Sequence, residues 1–148
     1  MIKFFLFLII FTISYCQTCS QDVYWCFDIS TIQSFYLFSD VNINGTTIES
    51  GSVPGSNDNV YYCPDNDCDI IGAFYNNVCV GWTYPYYNTY YTVPIMMNDG
   101  NHDNYIMQGE IPEFRLYDRS LEVVYTGLVP DNIQPCNNFE INIVDYLE

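Results

Sequence analysis

Short apolar stretches recur along this chain, and turn residues such as Gly, Asn, Asp and Pro separate them. The stretches are rich in Tyr, Phe, Val, Ile and Thr, while the better helix formers Ala, Lys and Arg are nearly absent, a composition that is typical of β-strands. No stretch repeats its apolar positions with the helical period. The pattern predicts strands at residues 23–29, 33–38, 41–43, 46–49, 59–63, 70–75, 78–82, 90–95, 113–117, 122–126 and 140–144.

Turn residues predict which of these strands form hairpins. Asn44-Gly45 is a strong two-residue hairpin signal because both residues tolerate positive φ. Asn76-Asn77 predicts a second hairpin in the same way, and Asp118-Arg119-Ser120 predicts a third between residues 114–117 and 121–125. The loop at residues 51–58 interrupts the domain without dividing it.

Many short strands at a spacing of about 8–12 residues predict two packed sheets. We therefore predict an all-β fold, a disulfide-stabilised antiparallel two-sheet β-sandwich of the immunoglobulin-like or jelly-roll-like kind. Residues 17–148 have the length of one domain.

The first sixteen residues have the form of a secretory signal peptide. Lys3 precedes an apolar run from Phe4 to Ile13, and small residues at Ser14 and Cys16 predict cleavage before Gln17. The apolar run is too short to span a bilayer as a helix, and no other run reaches about 20 residues. The expected location is extracellular, with a cell or virion surface included.

The charge of residues 17–148 is strongly negative. The chain has 18 acidic residues, and subtracting the basic residues Arg115 and Arg119 gives a formal charge of −16 once Lys3 is removed. Because binding to nucleic acid requires Lys or Arg to displace counterions, we expect neither nucleic acid nor an anionic membrane as a partner.

Six cysteines remain after the signal: Cys19, Cys26, Cys63, Cys68, Cys79 and Cys136. An even number in an exported chain predicts three disulfides. Closeness in sequence favours Cys19–Cys26 and Cys63–Cys68, which leaves Cys79 with Cys136. Zinc is the competing interpretation, but the chain has no Cys-x-x-Cys pair and only one histidine, His102.

Oxygen-bearing side chains are concentrated at residues 65–69 and 98–104. Asp99, Asn101 and Asp103 have the alternate spacing that could aim three oxygens at calcium, although the glycine and the distal Glu of an EF-hand are missing. The alternative is that these side chains cap turns through their own backbone.

An aromatic run between Trp82 and Tyr91 contains a candidate ligand platform formed by Trp82, Tyr86 and Tyr87. Exposed rings can stack on sugars or anchor a protein interface. The alternative is packing in the core or at a sheet edge. Pro85 favours a loop or an edge at residues 84–87.

Asn44-Gly45-Thr46 is the one N-glycosylation sequon, and it falls on a predicted hairpin tip. Catalysis has little support, because one histidine and no lysine after the signal leave few catalytic groups. We therefore predict that the protein is not an enzyme. A secreted hydrolase would need two carboxylates facing each other across a cleft, about 5–9.5 Å apart.

Two stretches resemble the extracellular β-sandwich modules of secreted adhesin-like and surface proteins. Residues 69–82 (DIIGAFYNNVCVGW) are similar to their D-x-I/V-G-A-F…C-x-G hairpin, and residues 109–118 (GEIPEFRLYD) to their G-x-x-P-x-F-x-x-Y-D strand. Residues 93–100 lie where those modules carry an apolar segment followed by D-D-G. The resemblance implies a structural or adhesive unit. Two departures are that this chain has one module instead of repeats, and more cysteines.

We therefore expect an exported, non-catalytic structural or adhesive subunit of a coat, matrix, fibre or virion surface. Its partners would be copies of itself or other extracellular proteins, joined through edge strands such as 90–95 or the stretch 17–26. The alternative is a secreted carbohydrate-binding module that binds glycans through exposed aromatic rings.

Overall fold

The computed structural model describes residues 17–20, 22–48, 63, 68–85 and 90–148. Within this part of the chain every regular element is a strand. The strands are β1 (Gln17–Cys19), β2 (Cys26–Asp28), β3 (Gln33–Phe38), β4 (Asn42–Ile43), β5 (Thr46–Thr47), β6 (Ile70–Tyr75), β7 (Val78–Thr83), β8 (Tyr91–Met96), β9 (Glu113–Asp118), β10 (Val123–Thr126) and β11 (Ile141–Val144).

Strand-forming composition and turn residues predict most of these strands well. The bounds of β3 and β6 match the prediction. The strands β7, β9, β10 and β11 differ from it by one residue at one end, and β8 is shifted by one residue. The predicted strand 23–29 shortens to Cys26–Asp28, and β1 is missed by the sequence pattern. The predicted strand 59–63 lies outside the described residues except for Cys63.

The prediction of an all-β sandwich is confirmed. A four-stranded sheet in the order β10-β9-β6-β7 packs against a three-stranded sheet in the order β11-β3-β8, and β1-β2 and β4-β5 form separate hairpins. Aromatic rings from both sheets meet in the core. Phe114 of β9 makes edge-to-face contacts with Tyr36 and Phe38 of β3, at centroid distances of 5.3 and 5.0 Å.

One pairing departs from the expected antiparallel arrangement. β11 lies parallel to β3, with Ile141 opposite Phe35 and Val144 opposite Phe38. The chain leaves β10 in one sheet, crosses to the other sheet through residues 127–140, and enters β11 in the direction of β3. A parallel bridge between Val41 and Leu147 extends the same pairing.

Positive φ angles confirm the two asparagine turns. Asn44 and Gly45 have φ of 52° and 76°, and Asn76 and Asn77 have φ of 48° and 66°. The third hairpin has a different turn from the predicted one. Val123 pairs with Asp118, so residues 119–122 form the turn, and the Asp118 carboxylate accepts the N–H of Leu121 at 3.0 Å.

Two of the three predicted disulfides are present, Cys19–Cys26 and Cys63–Cys68. The third prediction is wrong, because Cys79 and Cys136 are both free and buried. Each thiol donates to a backbone carbonyl in its own neighbourhood: Cys79 to Gly81 at 3.6 Å, and Cys136 to Glu110 at 3.1 Å. Two disulfides are consistent with an oxidising, extracellular environment.

Candidate functional site

Strand β11 forms an open edge of the three-stranded sheet. Phe35 donates its backbone N–H to the carbonyl of Glu140, and Ser39 donates its N–H to the carbonyl of Val144, each at 2.9 Å. The backbone N–H and C=O groups of the even-numbered residues in this segment therefore point toward β3. The backbone groups of Ile141 and Ile143 therefore point away from β3. No described residue pairs with them there, since β11 has β3 as its single neighbour in the sheet.

Large apolar side chains surround this open edge. Ile141 and Ile143 are 61% and 64% exposed, and Phe139, just before the strand, is 71% exposed. Ile141 and Ile143 share the outer face of the sheet with Phe35 and Leu37, their half-buried partners on β3. An unpaired strand with an apolar outer face is the form of edge that accepts another strand.

Asn142 lies between the two isoleucines and faces inward. It is 5% exposed and lies opposite Tyr36 of β3, yet none of the described residues accepts a hydrogen bond from its Nδ2. Beside it is a cavity of about 70 Å³, lined also by Ile133 and Gln134 of the crossing segment. A buried amide donor without an acceptor is costly, which marks Asn142 as a group that still needs a partner.

A second feature is a groove of about 710 Å³ between the β1-β2 hairpin and residues 99–105. Its polar lining includes Asp28, Thr31, Asp99, His102 and Tyr105. The ring of His102 stacks on that of Tyr105 at 4.9 Å. Tyr105 Oη accepts the N–H of Asp28 at 2.7 Å, and burial raises the pKa of this phenol.

The Asp99 carboxylate is held by protein donors on both oxygens. Oδ2 accepts the N–H and the hydroxyl of Thr31 at 3.1 and 3.0 Å, and Oδ1 accepts the N–H of Asn101 at 3.0 Å and faces His102 Nδ1 at 2.9 Å. These bonds, led by that from Thr31, hold the pKa of Asp99 well below its usual value. The geometry favours the turn-capping alternative over calcium.

The other two proposed calcium ligands, Asn101 and Asp103, are exposed on the same loop as Asp99. In the described ranges, no group of three or more His, Cys, Asp or Glu residues could hold a metal ion. Calcium at this loop therefore stays a prediction that rests on sequence spacing alone.

The proposed aromatic platform loses one member. Trp82 is 1% exposed and donates its indole N–H to the carbonyl of Thr18 at 3.1 Å, so it is a core residue under the β1-β2 hairpin and its assignment as a ligand-binding residue is wrong. The next aromatic, Tyr84, is also buried and contacts Trp82 edge-to-face. Tyr86 and Tyr87 lie outside the described residues. Asn44 is exposed at its hairpin tip, where the sequence predicts a glycan.

Sequence reasoning missed the β11 edge as a site. It predicted the strand, but named residues 90–95 and 17–26 as the pairing edges. β8 is an edge of its sheet, yet five of its six residues are buried and it packs beside β7. The available signal was the alternation of polar and apolar residues from Glu140 to Ile143, which gives two isoleucines on one face.

Comparisons with family models, curated proteins and solved structures find no match to this chain. Among the described residues, no helix has the length and apolar character needed to cross a membrane.

Proposed function

We propose that this chain is an exported, non-catalytic structural or adhesive protein that joins other extracellular chains at the open edge of β11. The observation that supports this proposal is that the backbone N–H and C=O groups of Ile141 and Ile143 point away from β3, beside exposed apolar side chains. Strand addition at such an edge provides main-chain hydrogen bonds, while side chains on the outer face provide specificity.

Two further observations support an extracellular role. Disulfides at Cys19–Cys26 and Cys63–Cys68 suit an oxidising compartment. An exposed sequon at Asn44, on the β4-β5 hairpin, suits the surface of an exported protein. The burial of Trp82 removes one ring from the sugar-binding alternative, which is why assembly is preferred.

The experiment is fractionation of the cells that make this protein, with an epitope tag placed in a surface loop such as that around Gly100. We expect the tagged chain in the particulate extracellular fraction, the coat or matrix, and released only under denaturing conditions. Its recovery solely as a dissolved monomer in the medium, or inside the cells, would contradict the proposal. A tag at the chain end is avoided because Glu148 exchanges backbone hydrogen bonds with Leu128.

A further inference from the structure

We infer that the partner at β11 is a second copy of this chain, paired antiparallel about a twofold axis that passes beside Asn142. In this arrangement Ile141 of each copy lies opposite Ile143 of the other. The inference rests on the proposed function, and it specifies both the occupant of the edge and the register.

The backbone of β11 is self-complementary in this register. Ile141 and Ile143 both direct their N–H and C=O groups away from β3. In an antiparallel pair, residues that face each other in this way exchange two N–H···O bonds. A twofold axis at Asn142 creates two such residue pairs, and therefore about four new backbone bonds. The two three-stranded sheets then become one continuous sheet.

Side chains also fit this register. Glu140 comes opposite Val144 of the second copy, so the carboxylate beside the strand does not face another carboxylate. Moving the axis to residue 140 would set Glu140 against Glu140, a like-charge pair that destabilises a sheet. Ile141 and Ile143 of both copies then form one apolar strip beside Phe35 and Leu37.

Asn142 gains the partner that it lacks in one copy. At the axis the two Asn142 residues form a non-hydrogen-bonded pair, whose side chains stand about 4.5 Å apart at Cβ on the same face, the short end of the range for facing residues. The unpartnered Nδ2 of each can then donate to Oδ1 of the other. This contact explains a buried amide that a monomer leaves unsatisfied.

The β10 edge of the four-stranded sheet gives a matched control. In β10, Gly127 donates to Phe114, so Val124 and Thr126 direct their backbone groups outward. The continuation of that edge is already used, because Leu128 and Glu148 exchange hydrogen bonds. The inference assigns the second copy to β11 because the buried amide that needs a partner, Asn142, lies there.

The first test is Ile143→Pro, measured by light scattering or sedimentation on the purified oxidised chain 17–148. Proline at this position removes an outward N–H and leaves the hydrogen bonds between β11 and β3 intact, as edge strands permit. We expect wild type to dimerise, more strongly at about 1 M salt where charge repulsion is screened. Ile143→Pro should weaken dimerisation about tenfold or more, while Val124→Pro leaves it unchanged.

The second test does not depend on tolerance of proline. Asn142→Cys should form a disulfide between copies on mild oxidation, because the register brings the two Cβ atoms within bridging distance. Ile141→Cys, one residue away, should not cross-link to itself. Equal cross-linking of both variants, or a wild-type monomer at every concentration and salt, would overturn the inference. A purified monomer that still enters the particulate extracellular fraction would reject the second copy and leave the proposed function standing.

Discussion

Gly81 of β7 lies directly against the backbone of Pro94 in β8, where the two sheets approach each other. A Cβ on Gly81 would stand 2.8 Å from the carbonyl carbon of Pro94 and closer still to its oxygen. No side chain can move aside there, because the obstacle is main chain. The contact therefore fixes the spacing between the sheets at this edge of the sandwich.

Gly81→Ala should destabilise the protein by about 3 kcal/mol or more, because overpacking against backbone forces the sheets apart. Gly100→Ala is the control. Gly100 has φ of 88° but no heavy atom near its missing Cβ, so that substitution should cost only about 1 kcal/mol of backbone strain. Urea denaturation of both variants checks the order, and a milder effect for Gly81→Ala would contradict the close contact.

Cys79 and Cys136 should react with a thiol reagent only after the protein has unfolded. Burial raises the pKa of Cys79 to about 12 and that of Cys136 to about 11, so neither forms a thiolate near pH 8. Thiol titration of the non-reduced protein should detect almost no fast reaction in the native state and both thiols in denaturant. Absence of thiols in denaturant would mean that the third disulfide forms after all.

The same thiols make stability fall at alkaline pH. Their folded-state pKa values lie above the usual value near 8.5, so the unfolded chain releases these protons first. Their contribution to the free energy of unfolding is complete below about pH 8 and is lost as the pH rises from there toward 11 or 12. Cys79→Ala should flatten this decline, measured as the denaturation midpoint from pH 7 to pH 10.

Asp99→Asn should lower the stability at neutral pH, because one of two oxygens that accept from Thr31, Asn101 and His102 becomes an amide donor. The folded-state pKa of Asp99 is lowered, so its stabilising effect is complete above about pH 4 and is lost as pH falls further, toward the folded-state value. The difference between wild type and variant should therefore narrow near pH 2. Denaturation curves at both pH values test this.

The calcium prediction is tested with the same variant. If calcium binds the Asp99 loop, it should raise the melting temperature of wild type and leave that of Asp99→Asn unchanged. No shift of either protein at millimolar calcium would reject the site and leave Asp99 as a turn cap.

Glycosylation at Asn44 should add mass to the protein when a eukaryotic host secretes it. Thr46→Ala removes the sequon but keeps the Asn44-Gly45 turn, so it should lose that mass without loss of folding. Thr47→Ala, the exposed neighbour, should keep the glycan. The measurement is intact mass before and after treatment with a peptide N-glycosidase.

Local patterns predicted local structure well. Strand-forming composition and the flanking turn residues identified β3 and β6 to the residue, and the asparagine turns follow from their tolerance of positive φ. The parallel pairing of β11 with β3 could not be predicted, because nothing near residue 141 records which strand a crossing segment will meet. The predicted Cys79–Cys136 disulfide was wrong for a similar reason. Pairing these two cysteines by elimination takes no account of where the fold buries each thiol.

At the candidate site, too, local contacts could be predicted from the sequence and long-range contacts could not. The turn-capping alternative for Asp99 depends on neighbours two and three residues away, and it was visible in the sequence. The hydrogen bonds from Thr31 to that carboxylate come from a segment that is distant in sequence, so they could not be predicted. The burial of Trp82 under Thr18 depends on the β1-β2 hairpin, whose first strand the pattern did not show.

The parallel pairing also sets the order in which this molecule can fold. β3 acquires its second neighbour only when residues 141–144 arrive, although Phe35 is made more than a hundred residues earlier. Until then one side of this central strand has no strand partner, so the three-stranded sheet is complete only after residues 141–144 have joined it. Pairing between segments so far apart in sequence also slows folding.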